Sequence, residues 1–275
     1  MAEVRKPAVS GQFYPADKTA LEEEVKEYLD NRRENIGLVI VPHAGYMFSG
    51  KLAGEVIGKI DNKKDFIILG VNHSGIGNKI SFSALDFSTP LGIVKNNRAL
   101  TNKILTKLKK EKIDADFNEL SHENEHSVEV ELPFLQVSQK NFKIVPILLK
   151  NLSYDECKKI AEILAEFIDE NICLLVSSDF THYGKNYGFL PFTKNVRKNL
   201  YYLDNEIIIN ILNLNPKKVY ELAGKSTICG LYGITIITEI AKIKKMKAKL
   251  IGYYTSGDIV DNWDNCVGYA GMGFE

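Results

Sequence analysis

The chain has 275 residues, of which 45% are hydrophobic and 25% are charged, a composition typical of soluble globular proteins. The 35 lysines and arginines balance the 35 aspartates and glutamates, so the net charge gives no reason to expect a nucleic-acid partner. The N-terminus lacks the apolar core of a signal peptide, and no apolar run is long enough to cross a bilayer. We therefore expect a cytoplasmic protein without a membrane partner.

Taken in chain order, apolar strand-like runs alternate with amphipathic helical segments. The predicted strands cover residues 38–41, 66–69, 144–149, 172–176 and 250–254, and two shorter runs, 79–84 and 91–94, predict inserted strands. Helices are predicted over 17–29, 98–108, 153–171 and 231–240. The third helix has the clearest start, because Ser153 and Glu156 have the spacing of a capping box. This alternation predicts one α/β domain over residues 1–275, with a mostly parallel or mixed central sheet flanked by helices.

Chemically active side chains follow three of the predicted strands. His43 comes shortly after strand 38–41, His73 after 66–69, and Asp179 and His182 after 172–176. Ligands of open α/β sheets bind outside the carboxyl ends of the strands, and three of the five histidines lie there. The sequence therefore predicts that these four side chains belong to one site.

The other two histidines, His122 and His126, lie in the acidic segment SHENEHSVEVELPF, before a predicted helix that Ser127 caps. Their spacing is similar to that of the zinc motif HExxH. That motif needs a helix to place both imidazoles on one face, and these histidines precede the helix. We interpret the segment as a polar loop in which Glu125 and His126 orient other groups of the site.

The four cysteines are widely separated and form no CxxC pair, which argues against a disulfide framework and a zinc knuckle. Cys229 precedes the predicted helix 231–240, and the positive end of a helix dipole favours a thiolate. Two interpretations stay open for this residue, a soft metal ligand and a small buried side chain. The other three, Cys157, Cys173 and Cys266, are predicted to pack in the core.

The chemistry of this residue set allows more than one metal. Two imidazoles and one anionic ligand with open positions are typical of redox iron, and a further imidazole supplies acid–base function. The same set can hold zinc and activate a water molecule for hydrolysis. The residues alone leave the choice between these metals open.

Six motifs occur in register along the chain: SGQFYP, VPHAGYMFSG, ILGVNHSG, ENEHSVEVELPF, VSSDFTHYG and STICGLYG. Through these six motifs the sequence resembles the Memo family (mediator of cell motility), from about residue 8 to the C-terminus. The resemblance implies a fold related to the class III extradiol ring-cleaving dioxygenases, which hold Fe(II) with two histidines and a glutamate.

By position, the resemblance implies that His43 and His73 are metal ligands and that Cys229 stands where the dioxygenases have their carboxylate. His182 matches the acid–base histidine, with Asp179 beside it. The family implies copper or iron as the metal, and a thiolate shifts the preference toward copper. Related prokaryotic sequences occur alongside radical-SAM and AMMECR-type proteins, which implies a shared pathway.

Three functions follow as hypotheses. The first is a mononuclear metal-dependent oxidoreductase with iron or copper, in which His182 moves protons and Asp179 orients His182 or binds substrate. The second is a non-catalytic module that binds a small molecule, a peptide or a partner protein. In either case Tyr46 and Tyr183 are candidates for contacting the ligand, although these aromatic residues fit a core equally well. The third is a zinc-dependent hydrolase.

Overall fold

The computed structural model describes residues 3–30 and 32–275. Over these residues the strands are β1 (Val4–Arg5), β2 (Leu38–Val41), β3 (Asp65–Val71), β4 (Ile80–Phe82), β5 (Asp86–Thr89), β6 (Gly92–Asn96), β7 (Ala115–Phe117), β8 (Lys143–Leu149), β9 (Ile172–Ser177), β10 (His182–Gly184), β11 (Ala248–Thr255) and β12 (Asn265–Phe274). The α-helices are α1 (Lys18–Tyr28), α2 (Tyr46–Gly58), α3 (Arg98–Lys110), α4 (Glu119–Glu123), α5 (Leu132–Ser138), α6 (Tyr154–Ala165), α7 (Val196–Leu212), α8 (Pro216–Ala223), α9 (Leu231–Ile243) and α10 (Ser256–Val260). Single 3₁₀ turns cover Glu129–Glu131 and Lys185–Tyr187.

The strands form one mixed sheet in the order β1-β5-β6-β8-β3-β9-β2-β12-β10, with β11 on β12, β4 on β8 and β7 on β4. The four central strands β8, β3, β9 and β2 are parallel to one another. Strand β12 is antiparallel to β2, and it also pairs with β10 and β11. The carboxyl ends of β3, β9 and β2 therefore lie side by side at one edge of the sheet.

Helices cover both faces of this sheet. In β9, Ile172, Leu174 and Val176 point to an apolar cluster that includes residues of α3, α6, α7, α8 and α9. Cys173 and Leu175 point to a second cluster, which includes residues of α1, α2 and α5. Successive side chains of a strand point to opposite faces, so strands that are covered on both sides have continuous apolar sequences.

The predicted α/β fold with a mixed central sheet is confirmed, and each of the seven predicted strands overlaps a strand of the structure. The capping box at Ser153 is also present, but helix α6 ends at Ala165, well before residue 171. Ser127 does not cap a helix; its hydroxyl instead accepts from the backbone N–H of Val71 and donates to the carbonyl of Val71. No helix in the described part of the chain is long and apolar enough to span a membrane.

Candidate metal centre

The order of the central strands determines which side chains meet. His43 stands two residues beyond the end of β2, and His73 stands two residues beyond the end of β3. Strand β9 runs between β2 and β3; Asp179 lies two residues beyond its end, and His182 begins the next strand, β10. All four residues therefore lie at the carboxyl edge of the parallel strands, where open α/β sheets bind ligands.

A third histidine completes a cluster with His43 and His73. One ring nitrogen each of His43, His73 and His126 lies within 4.8 Å of the other two. The His73 and His126 rings are stacked with centroids 4.8 Å apart, and the His43 ring stands edge-on to both, at 5.5 and 5.3 Å. We call these three side chains the three-histidine cluster. The sequence assigned His126 only to a supporting role.

Glu125 holds two members of the three-histidine cluster. Its carboxylate lies 2.9 Å from Nδ1 of His73, accepts from the backbone N–H of His73 at 2.9 Å, and lies 3.5 Å from Nδ1 of His126. Burial alone would raise the pKa of Glu125, but the hydrogen bond from His73 and the nearby imidazoles of His73 and His126 lower it to about 2. The carboxylate is therefore ionised and keeps the proton of His73 on Nδ1, which leaves Nε2 free.

His43 is oriented by a buried hydrogen-bonded chain. Its Nδ1 lies 2.8 Å from Oγ of Ser177, which donates to Oε1 of Glu131 at 3.0 Å. With the proton of His43 on Nδ1, the Nε2 atom carries a free lone pair. Burial, followed by the charges of His126 and His73, holds the pKa of His43 well below its usual range. The ring is therefore neutral, which is the form that binds metals.

Cys229 lies beside this lone pair. Its sulfur is 3.3 Å from Nε2 of His43 and accepts from the backbone N–H of Asp179 at 3.2 Å. Gly230 permits this approach, because a Cβ atom there would lie 2.3 Å from Cβ of Ser178. Dense packing around the sulfur raises the pKa of Cys229, and the charge of Asp179 raises it further. The Cys229 thiol is therefore protonated at neutral pH.

His182 is held by backbone carbonyls rather than by Asp179. Its Nδ1 lies 3.0 Å from the carbonyl oxygen of Phe180 and 3.1 Å from that of Thr227. Burial lowers the pKa of His182, so the ring is neutral with its proton on Nδ1. The Oδ1 atom of Asp179 instead accepts from the backbone N–H of His43 at 2.8 Å, and burial raises the pKa of Asp179 to about 7.

The two tyrosines predicted to contact a ligand are buried. Tyr46 donates its hydroxyl to the carbonyl oxygen of Val130 at 2.7 Å, and Tyr183 donates to the carbonyl oxygen of Phe192. Phe180 is also fully buried, in the cluster on the α6 and α9 face. In this structure, therefore, both tyrosine hydroxyls are engaged by the backbone and both rings are part of the packing.

His122 and His126 have different surroundings, although their spacing in the sequence is similar to that of the zinc motif HExxH. It lies in α4, fully buried, with Nε2 donating to the carbonyl oxygen of Ser81 at 3.0 Å. The three-histidine cluster does not contain it. His126 follows after α4 has ended, so the two imidazoles do not share a helix face, as predicted. The prediction of a polar loop is wrong at His122, because that residue lies within α4 and is buried.

The burial of His122 predicts an acid-sensitive contribution to stability. Burial lowers its pKa from 6.5 in the unfolded chain to about 4. Because the folded-state pKa is the lower one, stability is lost as the pH falls from 6.5 to 4, by up to about 3 kcal/mol. Urea unfolding at several pH values should show a smaller loss in His122→Gln, which keeps a donor for Ser81. An equal loss in both proteins would contradict this account.

The donor set fits a transition-metal ion. Neutral imidazole is a common ligand of iron, copper and zinc, and a cysteine sulfur adds a soft donor beside His43. Each ring of His43 and His73 uses Nδ1 for a protein hydrogen bond and keeps Nε2 unprotonated, which is the usual arrangement of metal-binding histidines. These contacts indicate which residues would hold a metal.

Comparison with known proteins places the chain in a family. A family model described as "Memo-like protein" matches residues 5–273. Among curated relatives, a MEMO1 family protein of Methanosarcina mazei is 36% identical, with 98% of each chain covered. A MEMO1 family protein of Aquifex aeolicus is 35% identical, covering 98% of this chain and 99% of the relative.

Among solved structures, an uncharacterised protein from Escherichia coli K12, JW3007, has a similar fold. The TM-score is 0.55 at 8% sequence identity, over 86% of this chain and 99% of the other. At this identity the likeness concerns the fold alone.

Proposed function

Because the chain belongs to the Memo-like family, we propose that its three-histidine cluster binds one iron or copper ion and that the protein is a metal-dependent oxidoreductase. The observation that carries the proposal is the convergence of three ring nitrogens within 4.8 Å. When bound, iron or copper supplies one-electron redox chemistry. A zinc-dependent hydrolase is the alternative that the same nitrogen donors allow.

The residues around the cluster have separate tasks in this proposal. His43, His73 and His126 hold the metal, and Glu125 orients the rings of His73 and His126. Cys229 places a soft donor next to His43, which favours copper or iron over harder cations. Asp179 fixes the backbone of His43 through the N–H of that residue.

His182 is the residue that moves protons. Its Nδ1–H is engaged by the two backbone carbonyls, so Nε2 is the atom that accepts or returns a proton. A neutral imidazole with one engaged nitrogen is suited to this task near neutral pH.

The experiment combines metal analysis of anaerobically purified protein with a screen of oxygen uptake against catechols, thiols and ascorbate. We expect iron or copper at one ion per chain, and uptake with at least one of these substrates. Zinc alone, with ester hydrolysis that chelation abolishes, would instead support the hydrolase. Protein that takes up none of these metals would favour the non-catalytic binding module.

His182→Ala should separate metal binding from turnover. We expect this variant to keep its metal and to lose oxygen uptake by on the order of 100- to 10,000-fold, because the group that accepts the proton is gone. Metal content and the circular dichroism spectrum serve as controls for an intact site. Unchanged uptake in His182→Ala would remove His182 from the proposed mechanism.

A further inference from the structure

Glu131 is a buried carboxyl group without a positively charged partner. Its side chain is fully buried, and among the described residues no cation lies close enough to affect its ionisation. Its Oε1 atom accepts from the hydroxyl of Ser177 at 3.0 Å, whereas Oε2 has no hydrogen-bond partner in the part of the chain that the structure describes. Buried carboxylates are normally paired with a cation and hydrogen-bonded, as Glu129 is with Arg5. Glu131 departs from this pattern.

The groups that surround Glu131 favour its neutral form. Burial raises the pKa of Glu131 well above its usual range; the hydrogen bond from Ser177 lowers it, and the charge of Asp179, which follows β9, raises it further. Tyr46 of α2 also interacts with this carboxyl, but burial raises the pKa of Tyr46, so its hydroxyl is uncharged. Glu131 is therefore protonated at neutral pH. Its proton lies on Oε2, because Oε1 accepts from Ser177.

One hydroxyl group connects Glu131 to the three-histidine cluster. Nδ1 of His43 lies 2.8 Å from Oγ of Ser177, and that hydroxyl donates to Oε1 of Glu131. The protein interior has a lower effective dielectric constant than water, so a positive charge bound at Nε2 of His43 attracts a carboxylate at Glu131 more strongly than it would in solvent. A nearby positive charge favours the ionised form of a carboxyl group.

We propose that Glu131 couples metal binding to proton release: it is neutral in the metal-free protein and ionises when His43 binds a divalent ion, an inference that rests on the proposed metal site. The O–H bond of Glu131 breaks, the electron pair stays on the carboxylate, and the proton leaves to solvent. The new negative charge offsets one of the two positive charges of the ion. It also strengthens the hydrogen bond from Ser177, which accepts the Nδ1 proton of His43.

The test counts the protons that are released when Co(II) is titrated into weakly buffered protein containing a pH indicator. Glu131→Gln keeps an oxygen that accepts from Ser177 but cannot ionise. We expect this variant to release one proton fewer per bound ion than the wild type. We also expect the Co(II) affinity of the wild type to rise about 10-fold more per pH unit than that of the variant. Protons released by Cys229 or another ligand occur in both proteins and cancel in the comparison.

Glu239→Gln is the matched control, because Glu239 is also buried but bonds Tyr154 and not Ser177. Infrared difference spectra of metal-bound and metal-free protein give a second readout. Glu239→Gln and the wild type are expected to lose the carbonyl band of a protonated carboxyl group on Co(II) binding, and this contribution is expected to be missing from Glu131→Gln. If circular dichroism shows that Glu131→Gln does not fold, Glu131→Met, which has a similar size and no ionisable group, takes its place in both measurements.

The proposal is overturned if the variant at Glu131 binds Co(II) and releases as many protons as Glu239→Gln does, or if it loses the same carbonyl band. Either result would leave the metal site in place, so failure of this inference is distinct from failure of the proposed function. A wild-type protein that binds neither Co(II) nor iron nor copper would refute the metal site, and the role of Glu131 with it.

Discussion

Replacing His126 by alanine is expected to lower the affinity for iron or copper by on the order of 100-fold or more, as are His43→Ala and His73→Ala. The reason is geometric, because the three ring nitrogens are mutually within 4.8 Å and each supplies one donor. Affinity is measured by competition with a chelator under anaerobic conditions. His182→Ala is the matched control, since it removes a histidine at the same edge of the sheet that lies outside the three-histidine cluster.

Cys229 should behave differently from the three histidines. Its sulfur approaches Nε2 of His43 at 3.3 Å, but it is not a member of the three-histidine cluster. We therefore expect Cys229→Ser to weaken Cu(I) binding more than Co(II) binding, because only the softer ion gains from sulfur. If His126→Ala keeps full affinity while Cys229→Ser loses all metals alike, the ligand set is the one that the sequence suggested.

The sequence predicted correctly the site residues that directly follow regular strands. His43 and His73 could be found because each follows an apolar run, and the carboxyl ends of parallel strands are the usual place for a site. His126 could not be placed in the same way. It lies in an irregular segment between α4 and the 3₁₀ turn Glu129–Glu131. Such a segment has no helical or strand periodicity from which the direction of a side chain could be predicted. The motif ENEHSVEVELPF and the neighbouring Glu125 indicated a supporting role for His126, but they did not indicate that its ring joins those of His43 and His73.

In the fold, too, regular apolar patterns could be predicted from the sequence and features set by packing could not. The central parallel strands are apolar on both faces and were predicted from that property alone. Strand β12 was not predicted, because its glycines weaken a strand pattern. In the structure one of them, Gly271, lies where a Cβ atom would be 2.5 Å from Val56 of α2. Only the packing of the helix on the sheet explains this requirement, and packing is not visible in a local sequence window.

Arg5→Met is expected to destabilise the protein by about 3–5 kcal/mol, the usual result of leaving a buried charge without its partner. Arg5 is buried in an ion pair with Glu129, and its Nε donates to the carbonyl oxygen of His122 at 3.0 Å. Glu129 in turn accepts from the backbone N–H of Ala8 and from the hydroxyl of Tyr14. The pair therefore links the N-terminal segment to the segment that carries His126 of the three-histidine cluster.

The same replacement should also weaken metal binding, because Arg5 donates to the backbone carbonyl of Glu125, whose side chain orients His73. Urea unfolding and chelator competition measure the two effects. Lys107→Met is the matched control, since it removes an exposed partner of Glu166 and should change neither quantity appreciably. Arg5→Met combined with Glu129→Gln should recover part of the stability, because no buried charge is then left unpaired. A loss in Arg5→Met no larger than that in Lys107→Met would show that the ion pair does not stabilise this part of the fold.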